Sequence, residues 1–374
     1  MGYASRILCI HQGVELYGSD RSFLSSVNAL NETDADLTVI LPGDGELACE
    51  LRKFDDINLV FYSKGILRKR ELHNPLSFLW NLLAGFVFYL RLFKKYPVIY
   101  INTVVMFSAL VAAVFYRFSS KRFVCHVREI PTGWQLKCFR VLLRASGAQL
   151  IFNSEATKAA FDLAGNVIYN GVGEVSQCQD VVKESWEREN DTINILLIGR
   201  INEWKGQLFL VQALAMLTPD ILKRVSVRIV GSPFEGYEYL LDDLKRKINQ
   251  AGLSDIVSMS SFCADPSSHY RWADYVVVPS TQPEPFGRVA IEAFSYGKPV
   301  VAAGHGGLVE IVEDGVSGFL FEPGEVAALA SRISELLKLS NDRYSKLSHF
   351  AYQRFREDFS IHSYQSSLRS VFKL

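Results

Sequence analysis

Short, continuously apolar runs alternate along almost the whole chain with longer stretches in which apolar positions recur at helical spacing. The first run, Arg6-Ile7-Leu8-Cys9-Ile10, leads through a turn bearing Gly13 and Gly18 into helical spacing from Ser22 to Leu30. Strand, glycine-bearing turn and helix are the elements this predicts. Further strands are expected at Leu37 to Leu41, Asn58 to Tyr62, Val98 to Ile101, Arg122 to His126, Ala148 to Phe152 and Val167 to Tyr169. Runs without polar alternation suit strands buried on both faces, so a mostly parallel sheet covered by helices on both sides follows. The pattern lapses into a polar, charged stretch between Gly173 and Asp191. It resumes at Ile193 to Ile198, followed by a helix from about Gln207 to Leu217 and strands at Val225 to Val230, Ile256 to Met259, Tyr275 to Val278 and Pro299 to Ala302. The expected fold class is therefore α/β with two Rossmann-like halves: an N-terminal domain over 1–172, a linker over 173–191 and a C-terminal domain over 192–353. A terminal helical segment over 354–374 offers Phe355, Phe359, Tyr364 and Phe372 for packing back toward the N-terminal domain.

The 374 residues are enough for two domains of ordinary size, and 49% hydrophobic against 21% charged residues excludes a disordered chain. The formal net charge is zero, which argues against a chain-wide nucleic-acid footprint. That zero is a sum of unequal parts. Residues 1–63 carry 4 basic and 10 acidic side chains, residues 64–158 carry 15 and 3, and the remainder 21 and 27. Six scattered cysteines, with no Cys-x-x-Cys pair, suit buried reduced thiols better than zinc or disulfides. Met1 to Val14 lacks the apolar core of a secretory leader, and Gly2 is followed by Arg6 where myristoylation wants Ser or Thr, so neither export nor lipidation is expected. Leu76 to Leu90, interrupted by Ser77, Asn81 and Gly85, falls short of the ~20 residues that span a bilayer.

Two segments carry candidate chemistry. Gly199-Arg200-Ile201-Asn202-Glu203-Trp204-Lys205-Gly206 follows the first strand of the second half and opens onto a helix. Arg200 and Lys205 at such a strand-to-helix turn would suit a diphosphate, though solvated surface cations read the same way. The run from Pro279 to Pro299 places Glu284 on a loop held extended by Pro283 and Pro285, and Glu292 one turn into a helix starting near Arg288. A loop carboxylate can accept hydrogen bonds from sugar hydroxyls, and one on the helix can take a ribose diol.

With these segments in order, the chain resembles the family-four retaining glycosyltransferases of the GT-B fold, in which two Rossmann-like domains face each other across a cleft. Val167-Ile168-Tyr169-Asn170-Gly171-Val172, Gly306-Gly307 with Glu310, and Gly315 to Leu320 are similar to further stretches of that family. The resemblance implies that Arg200 and Lys205 bind a nucleotide diphosphate, that Glu284 contacts the transferred sugar, and that Glu292 binds ribose. It also implies that Phe286, Gly287 and Arg288 lie at the donor, and that Gly18-Ser19-Asp20-Arg21 forms a glycine loop approaching the donor phosphates. Ser19 stands there where many relatives have a second glycine. His126 matches a family histidine beside the donor sugar, with Arg128 and Glu129 on the acceptor side. A lone strand-end histidine is more often structural. Gly231-Ser232-Pro233 and Ser260-Ser261-Phe262 depart from the family pattern, so UDP- and GDP-linked donors both stay open. No metal and no cofactor beyond the nucleotide sugar are implied.

The implied reaction is glycosyl transfer with retention, cations and helix N-termini stabilising the departing diphosphate. Lys64, Arg68, Lys69 and Arg70 precede the apolar stretch and Arg91, Lys94 and Lys95 follow it, with Phe78, Trp80, Phe86, Phe88 and Tyr89 between. Such flanks suit either an interfacial anchor on anionic lipid or a buried crossover helix with solvated ends. The expectation is a cytoplasmic protein, peripheral on the inner membrane face, that glycosylates a saccharide or polyprenyl-diphosphate-linked acceptor in cell-surface polysaccharide synthesis of the lipopolysaccharide type. A nucleotide-sugar epimerase of the same fold and a non-catalytic saccharide- or lipid-binding module are the alternatives. A dinucleotide dehydrogenase is disfavoured because Gly13 and Gly18 do not supply Gly-x-Gly-x-x-Gly.

Overall fold

The structure is a computed structural model and describes residues 6–33, 35–67, 73–173 and 192–372. The predicted linker beyond Gly173, together with Arg68, Lys69, Arg70 and Cys178, lies outside the described residues. The chain forms two compact units, Met1–Gly171 with Ile361–Leu374, and Val172–Ser360.

The first unit is built on a seven-stranded sheet ordered β3-β2-β1-β4-β5-β6-β7. Its strands are β1 Arg6–His11, β2 Asp36–Leu41, β3 Ile57–Phe61, β4 Val98–Asn102, β5 Arg122–Val127, β6 Gln149–Phe152 and β7 Asn166–Val167. All pairings are parallel, as expected of runs this apolar. The last strand is shorter than the expected Val167 to Tyr169 because β6 ends at Phe152, the partner of Val167. The first helix spans Gly18–Asn31, four residues earlier than its apolar spacing suggests. Gly18 and Ser19 are therefore the first turn of a helix and not a free loop; the Asp20 carboxylate accepts from the Tyr17 N–H at 3.3 Å and stabilises that start.

The terminal segment is divided differently from the expectation. Helix Asn341–Arg354 and the turn Phe355–Phe359 belong to the second unit, where Phe355 and Phe359 are fully buried and Phe359 accepts from the Val172 N–H at 3.0 Å. Only helix Ile361–Phe372 packs in the first unit. There Tyr364 meets the Ser26 hydroxyl at 2.6 Å and accepts from Arg128 at 3.2 Å, while Arg122 donates to the Phe372 carbonyl at 2.8 Å.

Helix Pro75–Leu92 runs unbroken through Ser77, Asn81 and Gly85. Two of these supposed interruptions are what dock it. Asn81 Oδ1 accepts from the Gly65 N–H at 2.7 Å, and the bare Gly85 backbone lies so close to Gly65 that a Cβ would come within 2.4 Å of the Gly65 Cα. With the following turn to Lys95 it is long and apolar enough, by length and composition, to cross a membrane, contrary to the expectation that the stretch is too short. The cysteines also differ in part: Cys9 and Cys125 are buried thiols, but Cys49 and Cys138 are exposed.

The second unit carries a six-stranded parallel sheet ordered β10-β9-β8-β11-β12-β13. Its strands are β8 Ile193–Ile198, β9 Val225–Val230, β10 Val257–Ser260, β11 Tyr275–Val278, β12 Val300–Ala303 and β13 Gly318–Phe321. The last, directly preceded by a turn, is a strand beyond those the apolar pattern predicts.

Tyr364→Phe removes the hydroxyl shared by Ser26 and Arg128 and leaves a buried guanidinium short of an acceptor. Its unfolding free energy in urea should fall by about 1–3 kcal/mol; an unchanged midpoint would show that the terminal helix is held by its apolar contacts alone.

Candidate active site

Each sheet reverses its strand order once near the middle, between β1 and β4 in the first unit and between β8 and β11 in the second. At such a reversal the loops leaving the carboxyl ends diverge and open a crevice for ligands.

In the second unit Asn202 Oδ1 accepts from the N–H groups of Trp204 and Lys205 at 3.1 and 2.8 Å, folding the loop after β8 back on itself. Gly206 then starts helix Gln207–Ala215 with φ 79°, and a Cβ there would lie 1.9 Å from the Pro279 carbonyl oxygen. Only glycine allows this approach to the chain leaving β11. The approach brings Lys205 Nζ to 2.6 Å from Glu284 Oε1, which also accepts from the Ser280 hydroxyl at 2.6 Å. Glu284 is 4% exposed. The Lys205 ammonium also rests over the Trp204 ring, 4.4 Å from its centroid. Arg200 is nearly buried, its guanidinium 3.8 Å above the ring of Phe234, which stands half-exposed on the loop after β9.

Helix Arg288–Ser295 begins directly after Gly287, and Phe286 is buried beside it. Arg288 Nε donates to Glu292 Oε1 at 2.8 Å, and the buried Tyr270 hydroxyl donates to Oε2 at 2.9 Å. Burial first, and the Glu292 charge second, push the Tyr270 phenol well above its ordinary value, so it remains a donor. The structure thus joins Lys205 to Glu284 and Arg288 to Glu292, and it sets Arg200 against an aromatic ring.

In the first unit the register sets His11 opposite Asn102 and Asn102 opposite His126, a polar row across the carboxyl ends of β1, β4 and β5. His11 Nε2 lies 2.7 Å from Asp20 Oδ1, and its ring stacks on Phe23 at 4.4 Å. His126 is fully enclosed. Its Nδ1 faces the Tyr100 hydroxyl at 2.8 Å and accepts from Arg128 at 3.1 Å, leaving Nε2 with no hydrogen-bond partner. Burial, reinforced by the Arg128 charge, holds its pKa well below 6.5, so the ring is neutral with its proton on Nε2. Arg128, expected on the acceptor side, is instead committed inside the unit, donating to Asn102 Oδ1 at 2.5 Å, to Asn170 and to Tyr364. A buried guanidinium needs this many acceptors, which is why it does not reach outward. Glu129 accepts from the Thr103 hydroxyl at 2.5 Å through Oε1, Oε2 has no partner, and burial raises its carboxyl pKa.

His11, Asn102, Thr103 and Ser280 escape the motif reading. Each stands within two residues of a strand's carboxyl end, the signal that could have found them. Among the described residues no three His, Cys, Asp or Glu side chains converge as a metal position.

Two doubly wound parallel sheets of this kind, with loop cations and paired glutamates at the reversal of the second, define the GT-B class. Residues 179–354 match the family described as glycosyl transferases group 1. A D-inositol 3-phosphate glycosyltransferase of Catenulispora acidiphila is 36% identical over 171 residues, covering 43% of this chain and 41% of that protein. The aligned stretch thus spans less than half of that curated relative. Anabaena HepE, solved in complex with UDP-glucose, superposes with a TM-score of 0.78 at 26% identity, over 98% of this chain and 99% of its own. The lipopolysaccharide outer core galactosyltransferase WaaB shares the fold, with a TM-score of 0.70 at 16% identity over 98% and 99% of the two chains.

Because the folded value of His126 lies below 6.5, the unfolded chain takes up that proton first on acidification. Stability is therefore retained above pH 6.5 and lost below it, by up to about 1.4 kcal/mol per pH unit for one proton. Melting curves from pH 8 to 5 should show this slope, and His126→Gln should flatten it; an equal slope in the variant would assign the proton elsewhere.

Proposed function

We propose that the chain transfers a glycosyl group from a nucleotide sugar to a saccharide acceptor, the donor held by the second unit. The observation that carries this is the convergence of Lys205, Glu284 and Ser280 at the reversal of that sheet, with Arg200 braced beside β8. A diphosphate offers Lys205 a second anion, and as the ammonium turns toward it Glu284 gains a free lone pair for a sugar hydroxyl. Glu292, its oxygens already fixed by Arg288 and Tyr270, is oriented to accept from a ribose diol. As the glycosidic bond breaks, negative charge grows on the diphosphate, so cations already aimed at it favour the transition state over the ground state. The family likeness and HepE's complex with UDP-glucose support a UDP-linked donor.

Retention at the anomeric carbon and chemistry without a metal are parts of the same reading. No carboxylate is assigned as a covalent nucleophile; the departing phosphate takes the acceptor's proton on the face it leaves. The acceptor is a saccharide carried on a lipid diphosphate, met at the cytoplasmic face of the cell membrane in polysaccharide synthesis. A second reading, a phosphorylated polyol acceptor, is favoured by the name of the curated inositol phosphate relatives.

Thermal shift across UDP- and GDP-sugars reads the donor directly, since a ligand at 100 times its Kd stabilises by about 2.7 kcal/mol. UDP-glucose should raise Tm, and Lys205→Ala should lower the rate at saturating donor; no shift with any nucleotide sugar, or an undiminished rate, would overturn the assignment. Phe234→Ala should weaken donor affinity roughly fivefold to thirtyfold, as loss of a cation–π brace worth about 1–2 kcal/mol implies. Equal donor affinity would show that Arg200 is placed without the ring.

A further inference from the structure

We infer that helix Pro75–Leu92 is a docking surface for an anionic bilayer, lying in the headgroup region and not crossing the membrane. Leu76, Leu79, Trp80, Leu83 and Val87 recur at helical spacing on one face, and each is exposed, Leu76 by 81% and Trp80 by 64%. A contiguous apolar stripe of this kind on a folded unit marks an interaction site. Four residues after Val87 the same face turns basic, with exposed Arg91, then Lys94 and Lys95. From residue 72 to 128 the chain contains no acidic residue at all. An apolar stripe running into cations, within a stretch of chain that holds no acidic residue, is complementary to acyl chains beneath anionic phosphates. Beside the helix a groove of about 520 Å³, lined by Tyr62, Leu83, Phe88, Arg91 and Lys95 among others, gives an acyl chain room to enter with cations at hand for its phosphate.

The opposite face explains why the helix lies on the membrane. The hydroxyls of Tyr62, Ser108 and Tyr116 donate to the carbonyls of Ala84, Leu82 and Leu90 at 3.0, 2.8 and 2.6 Å, and Gly85 is pressed against Gly65. A helix fastened along one side by these hydroxyls, two of them on or just after helix Phe107–Val114, cannot be ringed by lipid without exposing those groups to hydrocarbon. This inference goes beyond the glycosyl-transfer reading and is independent of the donor, so its test needs no nucleotide sugar.

The full chain is floated with vesicles of phosphatidylglycerol and phosphatidylcholine, or of phosphatidylcholine alone, at low and high salt. Wild type should float with the anionic vesicles, less so at high salt. The bound fraction should fall about tenfold in Leu79→Ser/Leu83→Ser and in Arg91→Ser/Lys94→Ser/Lys95→Ser. These positions are exposed, and melting curves confirm that the variants fold. Brominated lipid should quench tryptophan fluorescence in wild type and much less in Trp80→Phe. The proposal is overturned if wild type does not float, if either variant floats as wild type does, or if quenching is equal with and without Trp80. It is likewise overturned if sedimentation shows a dimer in solution that Leu79→Ser/Leu83→Ser dissolves, which would make this face a contact between two copies. Resistance of the bound chain to alkaline carbonate would contradict the in-plane placement.

Discussion

The 2.6 Å ion pair between Lys205 and Glu284 ties together the loops that leave β8 and β11, the two strands between which the second sheet reverses. Glu284 is 4% exposed, and removing one member of a buried ion pair typically costs about 3–5 kcal/mol. Much else at the site exists to make the pair possible. Gly206 lets one loop touch the carbonyl of Pro279, Asn202 sets the turn before it, and Ser280 supplies the second hydrogen bond to the carboxylate. The pair also holds the local charge in balance until a more anionic partner arrives, which is how a structural contact becomes a diphosphate site under the proposed reading.

The first unit meets the same topological constraint with different chemistry. Among the described residues its reversal carries no ion pair between a lysine and a glutamate; a row of imidazole and amide groups is stitched instead to Tyr100, Arg128 and Tyr364. Arg128 is the knot of this arrangement, drawing strand ends, Asn170 and the terminal helix to one guanidinium. Two side chains at this edge keep an unused atom, His126 Nε2 and Glu129 Oε2. The neutral imidazole is a fixed donor, and the carboxyl, its pKa raised by burial, binds a proton more readily than an exposed one.

Strands were legible in the sequence because both faces of each sheet are covered, which leaves runs such as Tyr275 to Val278 without a polar residue. The paired glutamates and the two cations were legible as residues but not as contacts. Lys205 and Glu284 are 79 positions apart, and nothing local announces that one neutralises the other. Arg128 read as an acceptor-side residue because the acceptors that hold it inward come from β4, from Asn170 and from a helix 236 residues away. Asn81 and Gly85 read as interruptions because a side-chain amide and a missing side chain weaken an isolated helix; here they are its points of attachment. The opening of the first helix was placed late since Gly18 and Ser19 carry no apolar signal, although Asp20 is a good residue for a first turn.

The central claim is that the charges at the reversal of the second sheet are shaped for a diphosphate. Calorimetric titration with UDP and with UMP tests it most directly, because the two differ only in the group those charges would hold. UDP should bind at least about tenfold more tightly than UMP, a difference of roughly 1.4 kcal/mol, and that gap should close in Arg200→Met. Equal affinities for UDP and UMP in the native chain, or an undiminished gap in the variant, would contradict the account.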